Sequence, residues 1–487
     1  MYPFKSYKVN DIIALYLLIS ISIIVRYYMP HVFGNIILLS YLILFYRSKN
    51  NPLWFALIIF LTSNAGYLFS IKNLNYALPT LTIPGSSKYL LYNELFILTT
   101  IVKAYKGKYK NYRYFLSAPF KLLFSYMIFL TLLSFVYGVS IIKLLNIMRQ
   151  ILPLGLLYYM PKLLATKEDY YKLFSLLFTL VIVMFSFQLY DLFTGSKVAF
   201  LFGETQIAVS NTYMYADDIV DVASEVNRII YGSNILLISF IGALYFAINK
   251  DRDNKFKRYY LYTIIGIILI SVLLSATRGW ILSVSLMMIL FALKSFKKNI
   301  KVIAGIAIPL IILANISIIS LQAGKSFTRL SSLKSLIAGD ITANGTLIRL
   351  DVRGERVLRK IYESPIFGYG FSNTYNDFRD YHVGHHTMLL NGGIIGLIIF
   401  LYFSIFFIVS VYKRYRSLSV SNPFKLGLYV FIVGYLGMFI IHSTSVSIFR
   451  YEVGFQAGML LVLFFSFSDM IYKEAGQEQI KRQKKIV

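Results

Sequence analysis

Apolar runs long enough to cross hydrocarbon as helices recur along the whole chain, separated by short polar gaps. They fall at about 11–29, 32–46, 52–71, 89–105, 117–137, 147–164, 172–193, 228–248, 259–276, 280–294, 302–321, 387–411, 424–443 and 454–472. The pattern predicts an all-α polytopic membrane protein of about 14 transmembrane helices, a single integral membrane domain over 1–487 with no soluble domain. No internal repeat or low-complexity tract interrupts it.

The polar gaps are of two kinds. Arg47-Ser-Lys49, Lys106-Gly-Lys-Tyr-Lys-Asn-Tyr-Arg113, the stretches 250–258 and 294–301, Lys413-Arg-Tyr-Arg416 and the tail Lys481-Arg-Gln-Lys-Lys485 are basic and all fall on one side of the helix count. By the positive-inside rule that side is the cytoplasm, with both termini inside. The start, Met1-Tyr-Pro-Phe-Lys5, runs into apolar sequence without a small-residue cleavage site and reads as an uncleaved first helix. Two connections on the opposite side are too long for turns. One, 194–227, ends in Asp217, Asp218, Asp221 and Glu225; the other, 322–386, is the longest non-apolar stretch of the chain. Long ordered loops more often carry function than merely connect, so chemistry is expected at this outer boundary.

Composition sharpens the class. The chain is 57% hydrophobic and 15% charged, with a mean hydropathy of +0.65, more apolar surface than a water-soluble core absorbs. The lack of cysteine excludes disulfide staples and thiolate metal sites. The net charge of +27 fits basic loops facing anionic lipid, which makes membrane lipids, not nucleic acid, the expected partner.

The 322–386 loop closes on the most concentrated chemistry of the chain. Ser364-Pro-Ile-Phe-Gly-Tyr-Gly-Phe371 is followed by Tyr381-His-Val-Gly-His-His386, which places His382, His385 and His386, three of five histidines, at the mouth of a predicted span. Imidazole is the side chain whose ordinary pKa lies nearest neutrality, which suits it to carry protons. These histidines lack a neighbouring Asp, Glu or Cys arrangement typical of a metal centre, so no metal is expected. His442, at the end of a late span, reads as structural. Asp217 and Asp218 read as solvated acids, and the 40 tyrosines as interfacial belts.

Arginine is expected inside, yet Arg228 opens a span, Arg278 occupies the tight turn Leu274-Ser-Ala-Thr-Arg-Gly-Trp280, and Arg26 and Arg149 lie near outer ends. Terminal arginines can simply snorkel to headgroups. Arg278 is the best functional candidate, confined beside a glycine and against the charge bias. Between Thr346 and Ser364, Leu347, Leu350, Val357 and Ile361 recur near helical spacing, and Arg349, Arg353, Arg356 and Lys360 form a basic stripe that Pro365 ends. Guanidinium donates several hydrogen bonds from a planar fork and keeps its charge, which suits it to diphosphate.

Across roughly 228–412 these residues resemble the O-antigen ligase and O-antigen polymerase superfamily of bacterial envelope glycosyltransferases. The likeness rests on Arg228 with Gly232 and Asn234, on Thr277-Arg278-Gly279, on Arg349 before a short helix and Pro365-Ile-Phe-Gly-Tyr-Gly370, and on a histidine ahead of Gly393-Ile-Ile-Gly396. The family's spacing to that Gly-x-x-Gly falls on His382, followed here by Val383 where the family usually has asparagine; His385 and His386 stay open as alternates. The resemblance implies a class C-like glycosyltransferase architecture in the bacterial inner membrane, serving lipopolysaccharide or other polysaccharide biosynthesis. The donor would be an undecaprenyl-diphosphate-linked oligosaccharide. Arg228, Arg278 and Arg349 would hold its diphosphate and His382 would act as base, without nucleotide sugar, metal or other cofactor. A polymerase would add the glycan to another lipid-linked repeat, with a chain-length regulator as a possible partner; a ligase would add it to lipid A-core. A lipid-linked oligosaccharide flippase is the reading from a different class, and it predicts charge buried at mid-membrane and a repeated half.

Overall fold

The computed structural model describes residues 7–29, 31–62, 92–107, 111–194, 232–248, 256–275, 277, 279–293, 354–380, 383–444, 447–451 and 455–483. Among them the chain is helix and connecting turns, with no strand. The helices are α1 (Tyr7–Tyr28), α2 (His31–Arg47), α3 (Asn51–Thr62), α4 (Tyr92–Lys106), α5 (Ser117–Val136), α6 (Ile141–Leu163), α7 (Lys167–Thr194), α8 (Ser233–Ile248) and α9 (Arg258–Leu274). They continue with α10 (Gly279–Leu293), α11 (Glu355–Glu363), α12 (Asn373–Phe378), α13 (Gly384–Ser417), α14 (Lys425–Thr444) and α15 (Phe455–Gln483). Four of these, α5, α7, α13 and α14, are long and apolar enough to cross a membrane. The protein is therefore an all-helical membrane protein. The expected span 302–321, residues 195–227 of the first long connection and 322–353 of the second lie outside the described residues.

Helix α8 is the centre of the bundle. Every residue from Ile235 to Ile248 is buried, as an apolar-all-round sequence requires, and α7, α9, α14 and α15 pack around it. Small residues set the closest approaches: a Cβ on Gly242 would lie 2.1 Å from the Phe174 ring, and one on Gly427 2.4 Å from the Tyr245 ring. Helix starts use local caps. Thr166 and Asp169 cap each other at the entry to α7, through Thr166 N–H to Asp169 Oδ2 at 3.1 Å and Asp169 N–H to Thr166 Oγ1 at 3.3 Å.

The short α11 differs from its neighbours. Val357 and Ile361 are its buried stripe, and it packs on α13, bringing the Ser364–Phe371 loop between α13 and the last turns of α5. Of the predicted basic stripe, Arg356 and Lys360 are described. Both lie over the Phe378 ring, at 5.7 and 5.2 Å, and Lys360 also pairs with Glu363 at 2.7 Å. Among the described residues this half of the stripe is thus engaged locally.

Candidate functional site

Gly393 interrupts α13 with φ +57° and ψ −164°, a backbone conformation essentially confined to glycine. Such a break frees carbonyls on one side and N–H groups on the other, and inside a membrane bundle they must find protein partners. The Ser364–Phe371 loop supplies them. Tyr369 and Gly370 donate their N–H groups to Leu390 O and Asn391 O, each at 2.9 Å. In the other direction, Ile394 N–H donates to Pro365 O at 2.8 Å and Ile395 N–H to Ile366 O at 3.2 Å.

Side chains complete this clip. Asn391 Nδ2 donates to Gly370 O at 2.7 Å, Tyr126 Oη to Gly392 O at 2.5 Å, and Phe371 N–H to Ser134 Oγ at 2.7 Å. A Cβ on Gly368 would sit 2.6 Å from Asn391 O, and one on Gly393 2.2 Å from Ile366 O. Gly368, Gly370 and Gly393 are therefore explained by backbone approach, and Gly396 by the Tyr451 and Tyr126 side chains packed on it.

The clip fixes the piece of α13 that carries the histidines. His385 is half-buried and rests on one face of α14, formed by Phe439, His442 and Ser443 at positions i, i+3 and i+4. Its ring centroid lies 5.1 Å from that of Phe439 and 4.6 Å from that of His442, the latter edge-on at 90°. Its Nε2 lies 2.8 Å from Ser443 Oγ. His386 turns the other way, towards the start of α11, where a Cβ on Gly354 would lie 3.3 Å from its Cε1. Just upstream, Thr387 Oγ1 donates to Asp380 O at 2.6 Å and accepts from Asp380 N–H at 3.2 Å, tying together the residues on either side of 381–382.

His442 was expected to be structural, and it is fully buried. Its Nδ1 accepts weakly from Phe449 N–H at 3.4 Å, while Nε2 has no hydrogen-bond partner among the described residues. It packs so closely on the start of α13 that a Cβ on Gly384 would be 2.6 Å from its Cε1. Sequence reasoning missed that His442 and Ser443 adjoin the histidine cluster; the i, i+3, i+4 spacing of Phe439, His442 and Ser443 was the available signal.

His382, Arg228, Arg278 and Arg349 lie outside the described residues. Of the sequence-predicted site residues, His385 and His386 are placed, side by side at the start of α13 but facing different neighbours. Arg149 is also placed, and it is not loose at a boundary: its guanidinium forks onto Glu94, through Nε to Oε1 and through Nη2 to Oε2 at 2.9 Å. Among the described residues no three His, Asp or Glu side chains gather as a metal site would need. What the arrangement can do chemically is accept a proton at a half-buried imidazole held on a rigid helix end.

No protein-family model matches the chain, and no curated protein matches it.

Proposed function

We propose that this protein is a membrane glycosyltransferase that transfers a glycan from an undecaprenyl diphosphate donor to an acceptor sugar, most simply another lipid-linked repeat, as an O-antigen-type polymerase. On this reading about 14 helices span the bacterial inner membrane in a class C-like arrangement, both termini are cytoplasmic, and the histidine cluster faces the outer side. An acceptor hydroxyl attacks the anomeric carbon, the carbon–oxygen bond to the diphosphate breaks, and an imidazole takes the hydroxyl proton. Arg228, Arg278 and Arg349 stabilise the charge that grows on the leaving diphosphate, so neither metal nor cofactor is needed. Direct displacement inverts the anomeric centre. The family spacing assigns the base to His382; His385 and His386 are the alternates, and the surroundings of both are described.

The observation that best supports this reading is the seating of His385 on a clipped, rigid helix end. A ligase that uses lipid A-core as acceptor shares all of the donor chemistry. A flippase also accommodates a broken helix, but transporters leave the half-helix ends open to a cavity. At the Gly393 break, Leu390 O, Asn391 O, Ile394 N–H and Ile395 N–H all bond to the Ser364–Phe371 loop, which argues against that use.

The test is incubation of the purified full chain with an undecaprenyl-diphosphate oligosaccharide. A ladder of products is expected. Transfer only on adding lipid A-core would make the protein a ligase, and translocation without chemistry a flippase. Membrane-inserted His382→Ala and Arg278→Ala variants that still formed polymer at full rate would overturn the mechanism.

A further inference from the structure

We infer that Ser443 is a positioning residue: its hydroxyl accepts a hydrogen bond from His385 Nε2–H and thereby holds the imidazole in the tautomer whose Nδ1 carries the lone pair. Three observations on two helices carry this. Ser443 Oγ lies 2.8 Å from Phe439 O, one turn back on α14, and donates to it. The same oxygen lies 2.8 Å from His385 Nε2. A serine hydroxyl has one proton and two acceptor lone pairs. With the proton spent on Phe439 O, the contact with His385 is a hydrogen bond only if the imidazole is the donor. The opposite arrangement, with the hydroxyl turned to Nε2, gives up the bond to Phe439 O and makes one hydrogen bond where the first makes two.

The ring cannot easily leave this seat. Phe439 and His442 pack on it from the same face of α14, and the Gly393 clip fixes the helix end that bears it. No described residue hydrogen-bonds His385 Nδ1, so the nitrogen left basic by the tautomer is the one left open. A hydrogen-bond partner that fixes which ring nitrogen carries the proton acts on rate without touching substrate, and where such partners orient metal-binding histidines the effect is about tenfold or more. The use of this lone pair as a base rests on the transferase reading above with its alternate, His385, as the base; the tautomer itself does not.

The two are separable by experiment. The full chain is labelled with 15N,13C-histidine in lipid nanodiscs and its imidazole nitrogens are read by NMR, with His385 assigned by signal loss in His385→Gln. Wild type is expected to show His385 protonated at Nε2 and bare at Nδ1. Ser443→Ala should shift His385 towards the other tautomer or a mixture, and Ser443→Thr, which keeps the hydroxyl, should restore it. Wild-type His385 protonated at Nδ1, or an unchanged tautomer in Ser443→Ala, would overturn the inference. If the alanine variant fails to insert, the wild-type and threonine spectra still decide. With His385 as the base of the transferase reading, Ser443→Ala also lowers turnover about tenfold, with apparent donor affinity unchanged and rescue by threonine. If the tautomer result holds while His385→Gln leaves transfer intact, the positioning role stands and the assignment of His385 as base fails.

Discussion

The Gly393 clip and the histidine pocket come from one stretch of sequence, yet the clip pairs the backbone groups freed at its break, with only the Asn391 Oδ1 side-chain atom buried without a described partner, whereas the pocket keeps ring nitrogens unpaired among the described residues. In the clip, Leu390 O, Asn391 O, Ile394 N–H and Ile395 N–H each have a loop partner, and the glycines leave no room for a methyl group. In the pocket, a few residues away along α13, neither Nε2 of the fully buried His442 nor Nδ1 of His385 has a hydrogen-bond partner among the described residues. Buried polar groups are paired unless something else is asked of them. The glycine-rich element is thus architecture, and the nitrogens without a described partner lie with the histidines it holds in place.

The largest way to break this comparison is Gly393→Ala. The residue sits at φ +57° with Ile366 O 2.2 Å from the incoming Cβ, so backbone strain and a steric clash act together. A loss of more than about 3 kcal/mol is expected, enough to abolish monodisperse protein on gel filtration. Gly155→Ala is the control, because nothing lies within 4 Å of its Cβ; in mid-helix it should gain up to about 1 kcal/mol. Equal behaviour of the two variants would mean that the break is not held by its glycine.

Arg149 and Glu94 belong on the clip's side. Glu94 is buried, and its carboxylate is forked by the guanidinium. Glu94→Ala takes the carboxylate away from a largely buried guanidinium and should cost about 3 kcal/mol, whereas replacing both partners with Leu and Met should cost far less. Thermal midpoints of the two variants decide; equal losses would show that the charges do not act as a pair. A smaller effect, about 1 kcal/mol, is expected for Tyr126→Phe, which removes the hydroxyl that donates to Gly392 O at 2.5 Å. No change in its thermal midpoint would remove Tyr126 from the clip.

Hydropathy alone located α5, α7, α13 and α14 to within a few residues at most ends, because an apolar run of membrane length has few other readings. It could not find the break in α13. Leu389-Leu-Asn-Gly-Gly-Ile-Ile-Gly396 reads as ordinary membrane helix, and only the arrival of a loop from some twenty residues upstream makes opening it favourable. The tie between Arg149 and Glu94 had a signal that went unused: a lone acid inside an otherwise apolar run needs a partner. The spacing of Phe439, His442 and Ser443 puts the three on one helix face, but that this face meets His385, more than fifty residues away in the chain, is not legible in either segment alone.

The smallest expected effect lies where the clip meets water. Glu363 accepts from Lys360 Nζ at 2.7 and 3.0 Å, and from Tyr369 Oη at 3.0 Å. Lys360 first, and Tyr369 second, hold its carboxyl below the usual carboxylate range. Burial, and then the same carboxylate, push the Tyr369 phenol up to about 12. A lowered carboxyl pKa stabilises the fold above its ordinary value, and that contribution is lost as pH falls through the lowered one. Glu363→Gln should therefore flatten the acid side of the stability profile slightly, between about pH 5 and pH 3. Tyr369→Phe should move the Glu363 titration only part of the way back, because Lys360 remains. Both are read as thermal midpoints across that range. If Tyr369→Phe shifted the profile as far as Glu363→Gln, the tyrosine, and with it the clip, would be holding the carboxylate more firmly than the lysine does.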